Sequence, residues 1–183
     1  MTELRERDGV AAPALEFLIL TAARTGEVIG ARWCEIDLDK GLWTIPAARI
    51  KAGREHRVPL SASALAIVER KRGARRGEFV FPGVKPDKSL SNMALLALLE
   101  RMGKTGLTTH GFRSTFRDWA SEQTNFPRDV AEMALAHAIG DKVEAAYRRG
   151  DLFEKRRQLM AAWARYCARD HRGAVVPLAR GTA

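Results

Sequence analysis

The chain has 183 residues, which suits one domain with a sizeable core, and its 46% hydrophobic and 29% charged content is that of an ordinary globular protein. Lysine and arginine number 31 against 22 acidic residues, a net charge of +9 that favours a polyanionic partner, nucleic acid first and an anionic membrane surface second. No apolar run approaches the roughly 20 residues of a membrane span, and the charged opening MTELRERDGV lacks the apolar centre of a signal peptide, so a cytoplasmic protein is expected.

In chain order, residues 13–24 (PALEFLILTAAR) predict a mostly buried helix, with Pro13 in its first turn and Gly26 just past its end. Residues 36–60 predict a small three-stranded antiparallel sheet. Two alternating segments flank the turn Asp39-Lys40-Gly41, and a second turn around Ala52-Gly53 leads into the short strand HRVPL. Residues 62–72 predict a helix and EFVFP (78–82) an extended piece. From residue 90 the chain is helical in pattern. SNMALLALLERMG ends at Gly103, and HGFRSTFRDWASEQ starts after Thr108-Thr109, either of which can cap it. PRDVAEMALAH begins at Pro127 and carries Asp129 and Glu132 in its first turns, which suits the helix dipole. DKVEAAYRR has Asp141 as its N-cap, and Gly140 and Gly150 bound it. The last helix, from Asp151, opens with the capping-box-like pair Asp151 and Glu154. Its apolar stripe is Leu152, Leu159, Trp163, Tyr166 and Cys167. Residues from about Gly173 are expected to be a tail. The fold class is therefore mainly α with one small antiparallel sheet.

Four places combine charge with an awkward position. Arg24 stands at the end of an apolar helix, where Glu27 can hold it through a carboxylate–guanidinium pair. His110 and Arg113 share one face near a helix start, a setting suited to a phosphate. Lys51 falls near the hairpin turn, from which a flexible ammonium can project. His137 ends one helix and Tyr147 lies on the next. Taken singly, each has a plain alternative: a surface arginine with a local ion pair, a capped helix, a solvated lysine, a satisfied histidine, a partly buried aromatic. Taken together they match attack on a phosphodiester. Two arginine forks answer the charge on the non-bridging oxygens. A lysine can protonate a leaving alkoxide, and histidines can donate to the phosphate or move the phenol's proton. Cys34 and Cys167 are far apart without a CxxC partner, and no Asp/Glu/His cluster has metal spacing, so no disulfide framework, metal or other cofactor is expected.

The ordered set Arg24 (ARTGE), Lys51 (IKAGREHRVPLS), His110 and Arg113 (HGFR), His137 (LAH) and Tyr147 (AAY) resembles the tyrosine recombinases. More narrowly, it resembles the catalytic domain of phage and genomic-island integrases, over about residues 10–170. The resemblance implies that Tyr147 attacks the scissile DNA phosphate to form a 3′-phosphotyrosine link. It implies that Arg24 and Arg113 bind the non-bridging oxygens, that Lys51 protonates the departing 5′ oxygen, and that His110 and His137 hydrogen-bond the phosphate and help move protons. Glu27 falls where the family tends to have an acidic residue beside the first arginine. The implied organisation is a catalytic domain over residues 1–172 and a tail over 173–183, with the family's N-terminal core-binding and arm-binding domains absent. The implied partner is double-stranded DNA, with a homotetramer on two duplexes when full length, a monomeric isolated domain left open, and no membrane. A type IB topoisomerase-like nicking-closing activity and a non-catalytic DNA-binding remnant remain alternatives. Arg148 and Arg149 are assigned to the helix dipole or to flanking phosphates rather than to the reaction.

Overall fold

A computed structural model describes residues 1–50, 53–85, 87–137 and 150–169. Its centre is helix α2 (Ala11–Thr21), which is apolar all round and accordingly buried nearly all round. The short helix α1 (Thr2–Arg5) lies against it, and the one carboxylate on α2 that is buried, Glu16, is held by Arg5 Nε at 2.7 Å. The apolar run predicts a helix continuing to residue 24. Instead α2 stops at Thr21, whose hydroxyl donates back to the Phe17 carbonyl at 2.7 Å, and Ala22 turns left-handed at φ 50°. A separate short helix, α3 (Thr25–Ile29), follows with Arg24 as its N-cap.

The predicted sheet is present: β1 (Ile36–Asp37), β2 (Leu42–Ile45) and β3 (His56–Pro59) are antiparallel in the order β1-β2-β3. Trp43 opposes Val58 and Ile45 opposes His56. Gly41 makes the first turn at φ 59°, as the hairpin sequence requires. The link from β2 to β3 contains a 3-10 turn (Ala47–Arg49) and Gly53 at φ 64°. Trp43 packs its ring on Phe17 of α2, which also meets Phe81, so the sheet closes one side of the core. EFVFP forms isolated bridges at Phe79, opposite Arg32, and at Pro82, opposite Ser89, while Val80 and Phe81 plug the core.

Helices α4 (Ala62–Arg72), α5 (Ala94–Arg101), α6 (Thr109–Glu122) and α7 (Arg128–Ala134) follow, then α8 (Phe153–Ala168). Thr108 caps α6 through its hydroxyl, which accepts from Gly111 N at 3.0 Å. The start of α8 departs from the expected capping box. Leu152 is left-handed at φ 51°, Asp151 Oδ1 accepts from Phe153 N at 3.2 Å, and Glu154 pairs with Arg157 instead of folding back. The apolar stripe of α8 meets α6 in an aromatic cluster of Phe116, Trp119, Trp163 and Tyr166, and Trp163 Nε1 donates to the Ile19 carbonyl at 2.7 Å. The predicted helix 141–149 and the tail lie outside the described residues. No helix among the described residues is long and apolar enough to cross a membrane.

Trp163 joins α8, α6 and α2 by packing and by one hydrogen bond, so its loss leaves both a cavity and an unpaired carbonyl. Trp163→Ala is expected to destabilise the fold by about 3–5 kcal/mol, read from urea denaturation against the unmodified chain.

Candidate active site

Arg113 enters the core from α6 and is only 5% exposed. A buried guanidinium needs acceptors on several edges. Nη1 donates to the Ala22 carbonyl, at the left-handed end of α2, and Nη2 donates to the Leu135 carbonyl at 2.8 Å, at the end of α7. Both acceptors are orphan carbonyls of helix C-termini, the ends at which the macrodipole favours a cation. Burial, and then the charge of nearby Arg24, push the Arg113 pKa down to about 10 while Glu27 pulls it back, so it stays protonated at neutral pH.

Arg24 is placed by the chain break after α2. Its extended backbone caps α3, and Glu27 folds back to accept from Arg24 N at 2.7 Å and from Arg24 Nη1 at 2.8 Å. Glu27 is almost fully buried, whereas the Arg24 side chain is 34% exposed. One edge of the guanidinium is thus clamped and the rest is offered to solvent. The Thr25 hydroxyl donates to the Thr109 hydroxyl at 2.9 Å, which ties the start of α3 to the start of α6. His110, in the first turn of α6, is exposed beside that junction and lies one turn ahead of Arg113.

His137 is set by the way α7 ends. Ala136 is left-handed at φ 50°, its N–H bonds to the Met133 carbonyl at 3.2 Å, and His137 N–H bonds to the Glu132 carbonyl at 3.0 Å. This is the Schellman pattern with alanine in the usual glycine position. Glu132 Oε2 stands 2.7 Å from His137 Nδ1, while His137 Nε2 lies 3.4 Å from Arg113 Nη2. A proton on Nδ1 donated to Glu132 leaves the Nε2 lone pair to accept from Arg113; this tautomer is assigned from the hydrogen-bond network. Burial pushes the Glu132 carboxyl up, but the bonds from His137 and Arg117 outweigh it, and its pKa lies below the ordinary range. The dipole role expected for Glu132 is therefore replaced by a bridging one.

Four of the six predicted site residues, Arg24, His110, Arg113 and His137, together with Glu27, thus gather where α2 and α7 end and α3 and α6 begin. Lys51 and Tyr147 lie outside the described residues. The chain leading to Lys51 is fixed, however: Arg49 reaches both the Glu35 carboxylate and the Glu27 carbonyl, next to the backbone of Gly30, where an added Cβ would stand 3.0 Å from Arg49 Nη2. Residues 3–151 match the phage integrase family.

The chain belongs to the phage integrase family.

Its curated relatives include prophage integrase IntA of Escherichia coli K12, 42% identical over 161 residues, which make up 86% of this chain and 39% of the relative. The integrase of Enterobacteria phage P4 is 34% identical over 171 residues, covering 84% of this chain and 39% of that protein. This integrase-family chain therefore spans about two fifths of the length of these relatives. Among solved structures, the lambda integrase catalytic core aligns with a TM-score of 0.54 at 20% identity, over 73% of this chain and 82% of that one. A lambda integrase tetramer bound to a Holliday junction aligns with a TM-score of 0.56 at 19% identity, over 81% of this chain and 45% of that one. The fold is that of the integrase catalytic core.

Sequence reading missed His56, which sits beside the site in this integrase-family chain. Its Nε2 lies 3.2 Å from the Ala134 carbonyl. The only available signal was a polar residue opening the strand HRVPL, and that is indistinguishable from an exposed strand end. Burial, and then the Arg156 charge, push the imidazole from 6.5 down to about 4, so it is neutral and its N–H serves the helix end. The unfolded chain binds a proton at pH 6.5 and below that the folded chain refuses. Stability is therefore expected to fall by about 3 kcal/mol as pH drops from 6.5 towards 4. His56→Gln keeps a donor and removes the titration, so urea denaturation between pH 7 and 4.5 should show a flatter profile. That window lies above the titration of Glu132, which acts below its ordinary 4.5.

Proposed function

We propose that this chain is the catalytic domain of a site-specific DNA recombinase that cuts and rejoins strands through a 3′-phosphotyrosine intermediate, in phage or island integration and excision. The observation that carries the reading is the pair Arg24 and Arg113. The Arg24 charge lies near enough to lower the Arg113 pKa, Glu27 holds Arg24 from one edge, and His137 Nε2 stands beside Arg113 Nη2. Such a pair is stabilised by an anion of more than one oxygen, and a phosphodiester supplies the two non-bridging oxygens that two forks can bind.

In this reading the Tyr147 oxygen attacks phosphorus, the P–O5′ bond breaks, and a P–O–tyrosine bond replaces it. The tyrosine proton leaves through His110 or His137, and Lys51 delivers a proton to the departing 5′ oxygen. Arg24 and Arg113 stabilise the charge that builds on the non-bridging oxygens, Arg113 being held rigid by two carbonyls so that little reorganisation is needed. Glu27 orients Arg24, and Glu132 orients His137. One phosphate ester is exchanged for another, so a 5′ hydroxyl can reverse the step without an external energy source. Residues 1–172 form the catalytic domain and 173–183 its tail. The chain works in the cytoplasm on double-stranded DNA, as part of a homotetramer on two duplexes. The lambda integrase tetramer bound to a Holliday junction, which shares this fold, supports the last point, and the prophage integrase relatives support the reaction.

The test uses a pool of randomised duplexes, each nicked so that a short cleaved fragment diffuses away. The unmodified chain is expected to leave a protein–DNA adduct that survives denaturant, and Tyr147→Phe to leave none. Arg24→Lys and Arg113→Lys should each slow adduct formation by at least about 100-fold, because an ammonium cannot replace a fork. Binding by Tyr147→Phe should weaken steeply between 50 and 200 mM salt (~10³-fold for six phosphate contacts). A folded chain that leaves no adduct anywhere in the pool overturns the reading.

A further inference from the structure

Among the described residues strand β3 pairs only with β2, and two consecutive residues on it reach two different parts of the chain. His56 Nε2 meets the Ala134 carbonyl at the end of α7, three residues ahead of His137. Arg57 meets the start of α8: its Nη1 donates to Asp151 Oδ2 at 3.2 Å, and its guanidinium lies 4.4 Å from the centre of the Phe153 ring. Its backbone carbonyl accepts from Arg156 Nη1 at 2.5 Å. Arg156 in turn donates through Nε to the Asp151 carbonyl and through Nη2 to Asp151 Oδ2, each at 2.7 Å. Neighbouring side chains on a strand point to opposite faces, so one dipeptide can hold both places at once.

This arrangement is costly for a purely structural contact. Arg156 is 2% exposed, although an apolar residue at a buried helix position would avoid the desolvation of a guanidinium. Burial lowers its pKa, while Asp151 raises it and Arg57 lowers it further. Leu152 is left-handed without being glycine, a strain of about 1–2 kcal/mol that persists only where the surroundings enforce it. Leu152 lies five residues after Tyr147 in the chain.

We infer that His56 and Arg57, with Arg156 and Asp151, are positioning residues that fasten both ends of the Tyr147-bearing stretch to strand β3. This rests on the proposed function, since it assigns Tyr147 its task. The upstream end is fixed at Ala134 by His56 and the downstream end at Asp151 by Arg57 and Arg156. Each fastening fixes the described chain at one end of the stretch that carries Tyr147, which favours attack by its oxygen on phosphorus without touching DNA. Arg49 and His56, each held in place, also flank Lys51 in sequence, so the proposed acid belongs to the link that leads into this strand.

The experiment compares His56→Ala, His56→Gln, Arg57→Ala and Arg57→Lys with the unmodified chain. Adduct formation is timed on duplexes recovered by the unmodified chain, and affinity is measured with Tyr147→Phe added to each. His56→Ala and Arg57→Ala are expected to slow adduct formation about tenfold with affinity unchanged within twofold, His56→Gln to restore the rate, and Arg57→Lys to restore part of it. Amide exchange separates the two fastenings. His56→Ala should speed exchange at Ala136 and His137 alone, and Arg57→Ala at Phe153 and Arg156 alone. Wild-type adduct rates in both alanine variants, or parallel losses of rate, affinity and Tm, overturn the positioning role while leaving the recombinase reading intact. Failure of the recombinase reading is visible separately, as the absence of adduct from the unmodified chain.

Discussion

The buried guanidinium of Arg113 spans the C-terminal ends of two helices, α2 and α7, and the candidate site is built around that contact. Helix C-termini leave carbonyls without partners, and an arginine's planar fork of five donors can serve two of them and still face a third group. Here the third group is His137 Nε2. The charge is thus paired with backbone dipoles instead of a carboxylate. It remains available to an anion, whereas a direct ion pair would have neutralised it.

The backbone is shaped to present those carbonyls. The non-glycine residues with positive φ among the described residues are Ala22, Ala136 and Leu152. Ala22 ends α2 and offers its carbonyl to Arg113. Ala136 closes α7 and delivers His137. Leu152 precedes α8 and sets Asp151 against β3. Each costs backbone energy that glycine would avoid; Ala22 and Ala136 lie where a helix has to stop so that a polar group can face the site, and Leu152 lies where one starts. Carboxylates complete the frame from behind. Glu27 clamps Arg24, Glu132 clamps His137 and Glu35 holds Arg49, and in each pair the acid is the better buried partner. The acids therefore orient the cations, and the exposed edges of the cations face outward.

Much of this was legible in the residues. The all-round apolar ALEFLIL run identified the central helix, the Asp39-Lys40-Gly41 turn identified the hairpin, and Thr108 identified the start of α6. The polar set of the site was legible through its order and its resemblance to a family. Element ends were less so. The stop of α2 at Thr21 comes from a left-handed alanine, which carries no local signal because alanine favours helix continuation. For the same reason the closing turn of α7 and the first turn of α8 were read differently. Glu132 was read as a dipole partner because its real partners, His137 and Arg117, depend on the turn at Ala136 and on the packing of α6 against α7.

The sequence by itself determined the fold class, the small antiparallel sheet, the positive charge and the residue types of the site, because periodicity, turn chemistry and side-chain chemistry are local properties. Only the tertiary structure decided which groups face which. That Arg113 is buried and not solvated, that His56 is a neutral donor to a helix end, and that Arg57 and Arg156 converge on Asp151 all follow from elements distant in sequence. Burial and convergence are long-range outcomes of packing. A single arginine or histidine in a string of residues carries no mark of the carbonyl it will meet.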